Sequence, residues 1–221
     1  MALNFLISGS DVSVGKTMVG CALAFAFKVR GLRVGVMKPV QTGSVEQNAP
    51  ATGGDASALA AAASAPLPLE QMTLYRYCAT EAPAMAAQIE GVGAPDFSRI
   101  EQAYRKIATQ SDVTLVEDTG GLAAPIDWQH DYADLAHSLG LEIVLVVANR
   151  PGFLNPARLT VEYASRRGVA LRGFILNALD RDASATVQHD GDLLARATGA
   201  RCLGTVRFKE PLALNIVEKL L

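Results

Sequence analysis

The stretch Gly9-Ser10-Asp11-Val12-Ser13-Val14-Gly15-Lys16-Thr17 constrains this chain more than any other, because of what stands on either side of it. Before it, Leu3 to Ser8 is a short apolar run that reads as a strand; after it, Lys16 to Arg30 has the apolar spacing of a helix. A glycine-containing turn between strand and helix gathers backbone N–H groups at the positive end of the helix, where phosphate oxygens are stabilised. A lysine there neutralises the outer phosphates, and the next hydroxyl can ligate Mg²⁺. Lys16 and Thr17 fill these places, with Ser13, Val14, Gly15 and Met18 as further nucleotide contacts. Five residues separate Gly9 from Gly15, where the common form of the loop has four. Ser10 therefore stands at the usual first-glycine position.

The rest of the chain repeats this alternation. Strands are expected at Arg33 to Lys38, Val113 to Glu117, Glu142 to Val147, Ala170 to Asn177 and Cys202 to Val206. Helices are expected at Asp55 to Ser64, Ser98 to Gln110, Tyr132 to Ser138, Pro156 to Arg167, Ser184 to Thr198 and Leu212 to Leu220. Near-continuous apolar strands such as Ile143-Val144-Leu145-Val146-Val147 suit a sheet covered on both faces. Strand followed by helix, repeated, builds right-handed βαβ units. The fold class expected is α/β, a P-loop NTPase three-layer αβα sandwich with a mostly parallel central sheet, in one domain over residues 1–221. The polar segment Gly43 to Gly54 interrupts the rhythm and is expected to be a mobile loop over a site.

Phosphate chemistry needs a second set of groups at the same edge of the sheet. Val113-Thr114-Leu115-Val116-Glu117-Asp118 ends a strand in two acids, and Thr119-Gly120-Gly121 follows with small residues that let the chain approach phosphates. Glu117 is the candidate metal ligand, Gly120 a nucleotide contact, and Asp118 a further acid of no assigned role. Asp55 is either a helix N-cap or a second metal ligand. Lys38-Pro39-Val40-Gln41-Thr42-Gly43 lies at the carboxyl end of the second strand, the edge where open parallel sheets bind ligands. Lys38 is placed there for an anionic intermediate.

Composition excludes several other classes. Twenty basic and 22 acidic residues give a net charge of −2, which argues against an extended nucleic-acid surface. No apolar run approaches the roughly 20 residues of a membrane span. The start has no basic region before its apolar run, so a cytoplasmic location is expected. Cys21, Cys78 and Cys202 are widely spaced and are expected to be reduced packing thiols.

With these motifs in order, the chain resembles the dethiobiotin synthetase family from Leu3 to about Thr205. The resemblance rests on Gly-x5-Gly-Lys-Thr, Lys38 to Gly43, Asp55, Val116 to Gly121, and Gly152 to Asn155. It implies an ATP-dependent carboxylase that uses CO₂ or bicarbonate and Mg²⁺ to close the ureido ring on 7,8-diaminononanoate, a step of biotin synthesis. The route would run through a carbamate and a carbamic–phosphoric anhydride. By the same resemblance Lys16 holds the γ-phosphate, Lys38 the carbamate and transferred phosphate, and Thr17, Asp55 and Glu117 the metal. Thr42 contacts substrate or carbamate, and Asn177 reads adenine. Gly152 and Asn155 bind the substrate carboxylate across a homodimer interface, at the start of a helix that opens at Pro156. Departures from the family pattern are Val12 and Ser13 for Thr and Glu, Ala82 and Ala84 for Ser and His, and Asp118-Thr119 for a Gly-Ala pair. Two alternatives remain: a paralogous ATP-dependent ligase acting on another substrate, and a nucleotide-switch ATPase of the partition or septum-positioning type. The latter carry an extra lysine early in the loop, where this chain has Ser10 and Asp11.

Overall fold

Strands that are apolar on both sides need cover on both sides, and the topology supplies it. The computed structural model describes residues 3–43, 54–65, 67–210, 212 and 214–221. Six strands, β1 (Leu3–Gly9), β2 (Val34–Met37), β5 (Val113–Glu117), β6 (Glu142–Ala148), β7 (Leu171–Asn177) and β8 (Cys202–Val206), form one sheet in the order β2-β5-β1-β6-β7-β8. Every pairing in it is parallel. A separate pair, β3 (Val40–Gln41) with β4 (Tyr75–Arg76), has two residues in each strand.

Nine helices occur among the described residues: α1 (Lys16–Val29), α2 (Asp55–Ala63), α3 (Leu69–Met72), α4 (Pro83–Ile89), α5 (Phe97–Ala108), α6 (Tyr132–Leu139), α7 (Leu154–Arg166), α8 (Arg181–Thr198) and α9 (Leu214–Glu218). From β1 the chain moves one way through α1 to β2, and from β2 it works back across the sheet through α5, α6, α7 and α8. Right-handed crossovers in opposite directions place helices on opposite faces. Thus α1 packs with α2 and α9, while α5 packs with α6 and α7 with α8. The arrangement is the three-layer α/β fold of P-loop NTPases with a wholly parallel main sheet.

The helix ends follow local chemistry. Asp96 caps α5 by accepting from the Arg99 N–H at 3.0 Å, and Asp131 caps α6 while Asp134 accepts from the Asp131 N–H. Several helix ends differ from the sequence expectation; α8, for one, opens at Arg181 and not at Ser184, with Asp180 accepting from the Ala183 N–H at 2.7 Å. Helix α7 opens at Leu154 and not at Pro156, because the Phe153 carbonyl already accepts from the Ala157 N–H at 3.2 Å. Pro156 is thereby in the first turn, where its missing N–H costs nothing. Asp55 is the first residue of α2 and Gly54 is its cap, which leaves the Asp55 side chain for another partner. The segment expected to be a loop over the site, Gly43 to Gly54, lies outside the described residues apart from its two end glycines.

Among the described residues no helix is long and apolar enough to cross a membrane. All three cysteines are free; Cys21 and Cys202 are half-buried, but Cys78 is exposed and is not a packing thiol. Cys78 stands in the turn between β4 and α4, outside the layers that cover the sheet.

Candidate active site

The order in which strands are added to the main sheet reverses beside β1, whose neighbours are β5 and β6, and ligands of open parallel sheets bind outside the strand ends at such a point. The loop from Ser10 to Gly15 leaves β1 there. Its backbone is held in uncommon conformations: Ser13 has φ 55° and Gly15, the N-cap of α1, has φ 90°. No side chain caps α1, so its leading N–H groups are available to an anion. At Gly15 the absence of a Cβ is required, because one would overlap Asn177 Nδ2. That amide donates to the Val14 carbonyl at 2.9 Å and so ties the end of β7 to the loop. Asn177 Oδ1 is buried and has no hydrogen-bond partner.

Beside the loop lies a cavity of about 310 Å³, lined by Ser13, Val14, Gly15, Lys16, Thr17, Lys38, Thr42, Asp55, Glu117 and Gly120, together with Val12, Asp118 and Thr119. Three elements distant in sequence converge on one oxygen there. Glu117 Oε1, at the end of β5, accepts from Thr17 Oγ1 at 2.8 Å and from Lys38 Nζ at 2.7 Å. Lys38 also donates to Asp55 Oδ2, so its ammonium lies between two carboxylates. Lys38 and Glu117 have side chains only 6% and 1% exposed, which makes this a buried charge cluster.

Burial alone would lower the Lys38 pKa, but the adjacent Glu117 and Asp55 carboxylates outweigh it and hold the ammonium above the ordinary lysine value. Burial raises the Asp55 carboxyl too, and there Lys38 wins and the net shift is downward. For Glu117 burial dominates over the pull of Lys38, and its carboxyl is pushed up. Cys21, on the buried side of α1, is pushed up to about 11 by its burial and then by Glu117 and Asp55.

Two contacts were not assigned from the sequence. Asp118 is fully buried, its Oδ1 is 3.5 Å from Lys16 Nζ and accepts from the Gly121 N–H, and its Oδ2 has no partner. Asp11, in the loop, pairs with Arg150 from the turn after β6. The signal available for Asp118 was an acid directly after Glu117 at a strand end; nothing in the sequence marked its partner.

Not every candidate residue lies in this cavity. Met18, on the first turn of α1, is half exposed and does not line it, because its position on the helix turns away from the sheet edge. Gly152 and Asn155 border a different groove, of about 670 Å³, formed with Leu154, Arg158, Leu159 and Glu162 of α7 and the end of α8.

The oxygen donors fit a hard divalent ion. Thr17 Oγ1 and the Glu117 and Asp55 carboxylates are oxygen ligands of the kind Mg²⁺ takes, and the two carboxylates already hold one cation, the Lys38 ammonium. No group of three His, Cys, Asp or Glu side chains is disposed for a metal among the described residues.

The model of the AAA_26 family, an AAA domain, matches residues 4–214. The chain belongs to that family. The family includes dethiobiotin synthetase. Among solved structures, the cell division ATPase MinD of Pyrococcus furiosus is similar at a TM-score of 0.58 and 18% identity, covering 100% of this chain and 98% of that one. The ParA family ATPase of Chlorobium tepidum gives 0.57 and 16%, covering 99% and 98%. The septum site-determining protein MinD of Pyrococcus horikoshii, complexed with Mg-ADP, gives 0.54 and 17%, covering 99% and 86%. At these identities the likeness is one of fold.

Proposed function

We propose that this AAA-domain protein is an ATP-dependent carboxylase of the dethiobiotin synthetase kind, which closes a cyclic urea on 7,8-diaminononanoate. The observation that carries the reading is the second lysine. Lys38 is buried in the same cavity as the phosphate-loop residues Lys16 and Thr17, at a strand end where an acceptor for the transferred phosphate must sit. Phosphoryl transfer is catalysed chiefly by positioning and charge stabilisation, and two ammonium groups facing one cavity provide for donor and acceptor separately.

In this reading Lys16 holds the γ-phosphate of ATP, and Thr17, Asp55 and Glu117 would hold Mg²⁺, which would supply charge neutralisation to the phosphates. Ser13, Val14, Gly15 and Gly120 contribute the surrounding backbone. Lys38 and Thr42 take the carbamate formed from CO₂ and one amine, and Lys38 follows the phosphoryl group onto it. The second amine then attacks the carbamate carbon and displaces phosphate. Asn177 serves adenine in this reading: its Nδ2 is committed to Val14, and Oδ1, buried beside the loop in the nucleotide-free protein, is the acceptor left for an exocyclic amino group once the base displaces its surroundings. The Mg-ADP held by the similar MinD of Pyrococcus horikoshii supports a magnesium nucleotide at this loop.

Gly152 and Asn155 lie in a groove apart from the cavity, which supports their serving a neighbouring copy's substrate in a homodimer. A switch ATPase whose output is partner binding is the second reading, favoured by the fold of the similar MinD and ParA structures. Against it, Asp11 stands where such loops carry a lysine and is paired with Arg150.

The test is to mix the protein with ATP, Mg²⁺, bicarbonate and 7,8-diaminononanoate and to follow phosphate and cyclic urea together. Equal amounts of both are expected. Phosphate without urea, at a rate indifferent to the diamine, would refute the carboxylase and leave the switch ATPase.

A further inference from the structure

Both carboxylates assigned to the metal already hold a cation. Lys38 Nζ bonds Glu117 Oε1 at 2.7 Å and Asp55 Oδ2 as well, and the same Glu117 oxygen accepts from Thr17 Oγ1. The ammonium therefore draws on two of the three side chains that would ligate Mg²⁺, and it shares an oxygen with the third. Magnesium demands its oxygens at about 2.0–2.1 Å in near-octahedral order. A lysine ammonium on Glu117 Oε1 and Asp55 Oδ2 occupies contacts that such a shell needs, and its charge repels a dication. Its place is also well defended, since the Lys38 and Glu117 side chains are nearly inaccessible to solvent.

We propose that Lys38 is a place-holder: its ammonium fills the metal position in the nucleotide-free protein and leaves Glu117 and Asp55 when a magnesium nucleotide binds. The inference rests on the nucleotide reading above and adds an order of events to it. In the nucleotide-free state Lys38 neutralises two carboxylates that would otherwise be left close together and partly buried, an arrangement that is strongly unfavourable. Once displaced, it has lost both anionic partners and must find another. The ammonium is then available for the anionic end of the second substrate, here the carbamate. Metal and anion are thus coupled: the anion site forms only after the metal has taken the carboxylates, and by reciprocity a bound anion tightens the metal.

The test reads metal affinity and not turnover. Mn²⁺, counted by electron paramagnetic resonance in the presence of ADP, should bind Lys38→Met at least tenfold more tightly than the wild-type protein, because the competing ammonium is gone. The gain should persist in 1 M KCl, where the Debye length is about 3 Å and distant charge effects are screened. Lys38→Arg, which keeps the charge, should show no such gain. Equal or weaker Mn²⁺ binding by Lys38→Met would overturn the proposal. A second measurement needs no variant, and the chain has only six lysines to resolve. In protein carrying ¹³C at the lysine ε-carbons, the Lys38 signal should stay in place when ADP is added alone and shift when Mg²⁺ follows. If ADP and metal bind but that signal does not respond, the place-holder is refuted while the nucleotide reading stands. Failure of the wild-type protein to bind either one overturns both.

Discussion

Replacing Gly15 with alanine separates two costs that the structure keeps in one residue. The first is backbone: Gly15 has φ 90°, a left-handed conformation that costs an L-residue about 1–2 kcal/mol. The second is a collision, since the new Cβ would overlap Asn177 Nδ2 and must push it off the Val14 carbonyl, to which it donates at 2.9 Å. Asn177 is buried, and a buried amide left unpaired costs about 1–3 kcal/mol. Gly15→Ala should therefore lose about 2–5 kcal/mol. A control is at hand in Gly31, where φ is 80° but nothing lies within 4 Å of an added Cβ, so Gly31→Ala should lose only the first part. Urea denaturation of both variants measures the difference directly. Adding Asn177→Ala to Gly15→Ala should recover the collision cost, giving a coupling of about 1–3 kcal/mol in a double-mutant cycle. If Gly15→Ala is no more damaging than Gly31→Ala, or if the cycle shows no coupling, the contact between the loop and β7 does not hold the loop as described.

Asp118→Asn removes a buried negative charge 3.5 Å from Lys16 Nζ and should tighten ATP binding about tenfold by calorimetry, or roughly 1.4 kcal/mol; weaker binding would show that Asp118 orients Lys16 and does not compete for it. Asp112 is paired with Arg33, whose hydrogen bond holds its carboxyl down at about 2, so it stabilises the fold above the ordinary carboxylate value of 3.8 and loses that contribution as pH falls toward 2. Asp112→Asn should accordingly be less stable than wild type at pH 6 and converge with it near pH 2; parallel pH profiles would deny the pair a role. Exposed Cys78 should react with iodoacetamide at pH 8 more than ten times faster than Cys21, whose thiol is raised to about 11; peptide mapping that finds Cys21 modified first would contradict the burial of that face of α1.

Much of the fold was legible because the long elements follow local rules. The run Val113 to Glu117 was legible to the residue, since four apolar or β-branched positions followed by two acids admit few other structures. The elements β3, β4, α3 and α4, which have between two and seven residues each, left no readable pattern in the sequence. Elements so short have little propensity of their own. The Val40–Gln41 pair exists because Tyr75 and Arg76 lie beside it, and α4 because Pro83 can start a turn there. The start of α7 was misplaced by two residues because a proline inside the first turn looks like a beginning.

The phosphate loop needed no tertiary information: strand, turn, lysine, threonine and helix are contiguous, and their spacing alone aims N–H groups at an anion. Lys38, Asp55 and Glu117 could each be named as strand-end or helix-start residues for the same local reason. What the sequence could not contain is that they meet. Lys38 and Glu117 are 79 residues apart and Thr17 and Glu117 are 100 apart, yet they share one oxygen because β2, β5 and β1 are adjacent and parallel. The ion pairs of Lys16 with Asp118 and of Asp11 with Arg150 arise in the same way, from strand order and crossover. Local pattern decides which groups reach the carboxyl edge of the sheet; only the packing of the strands decides which of them neutralise one another there, because charge pairing depends on distance in space and the chain encodes only distance in sequence.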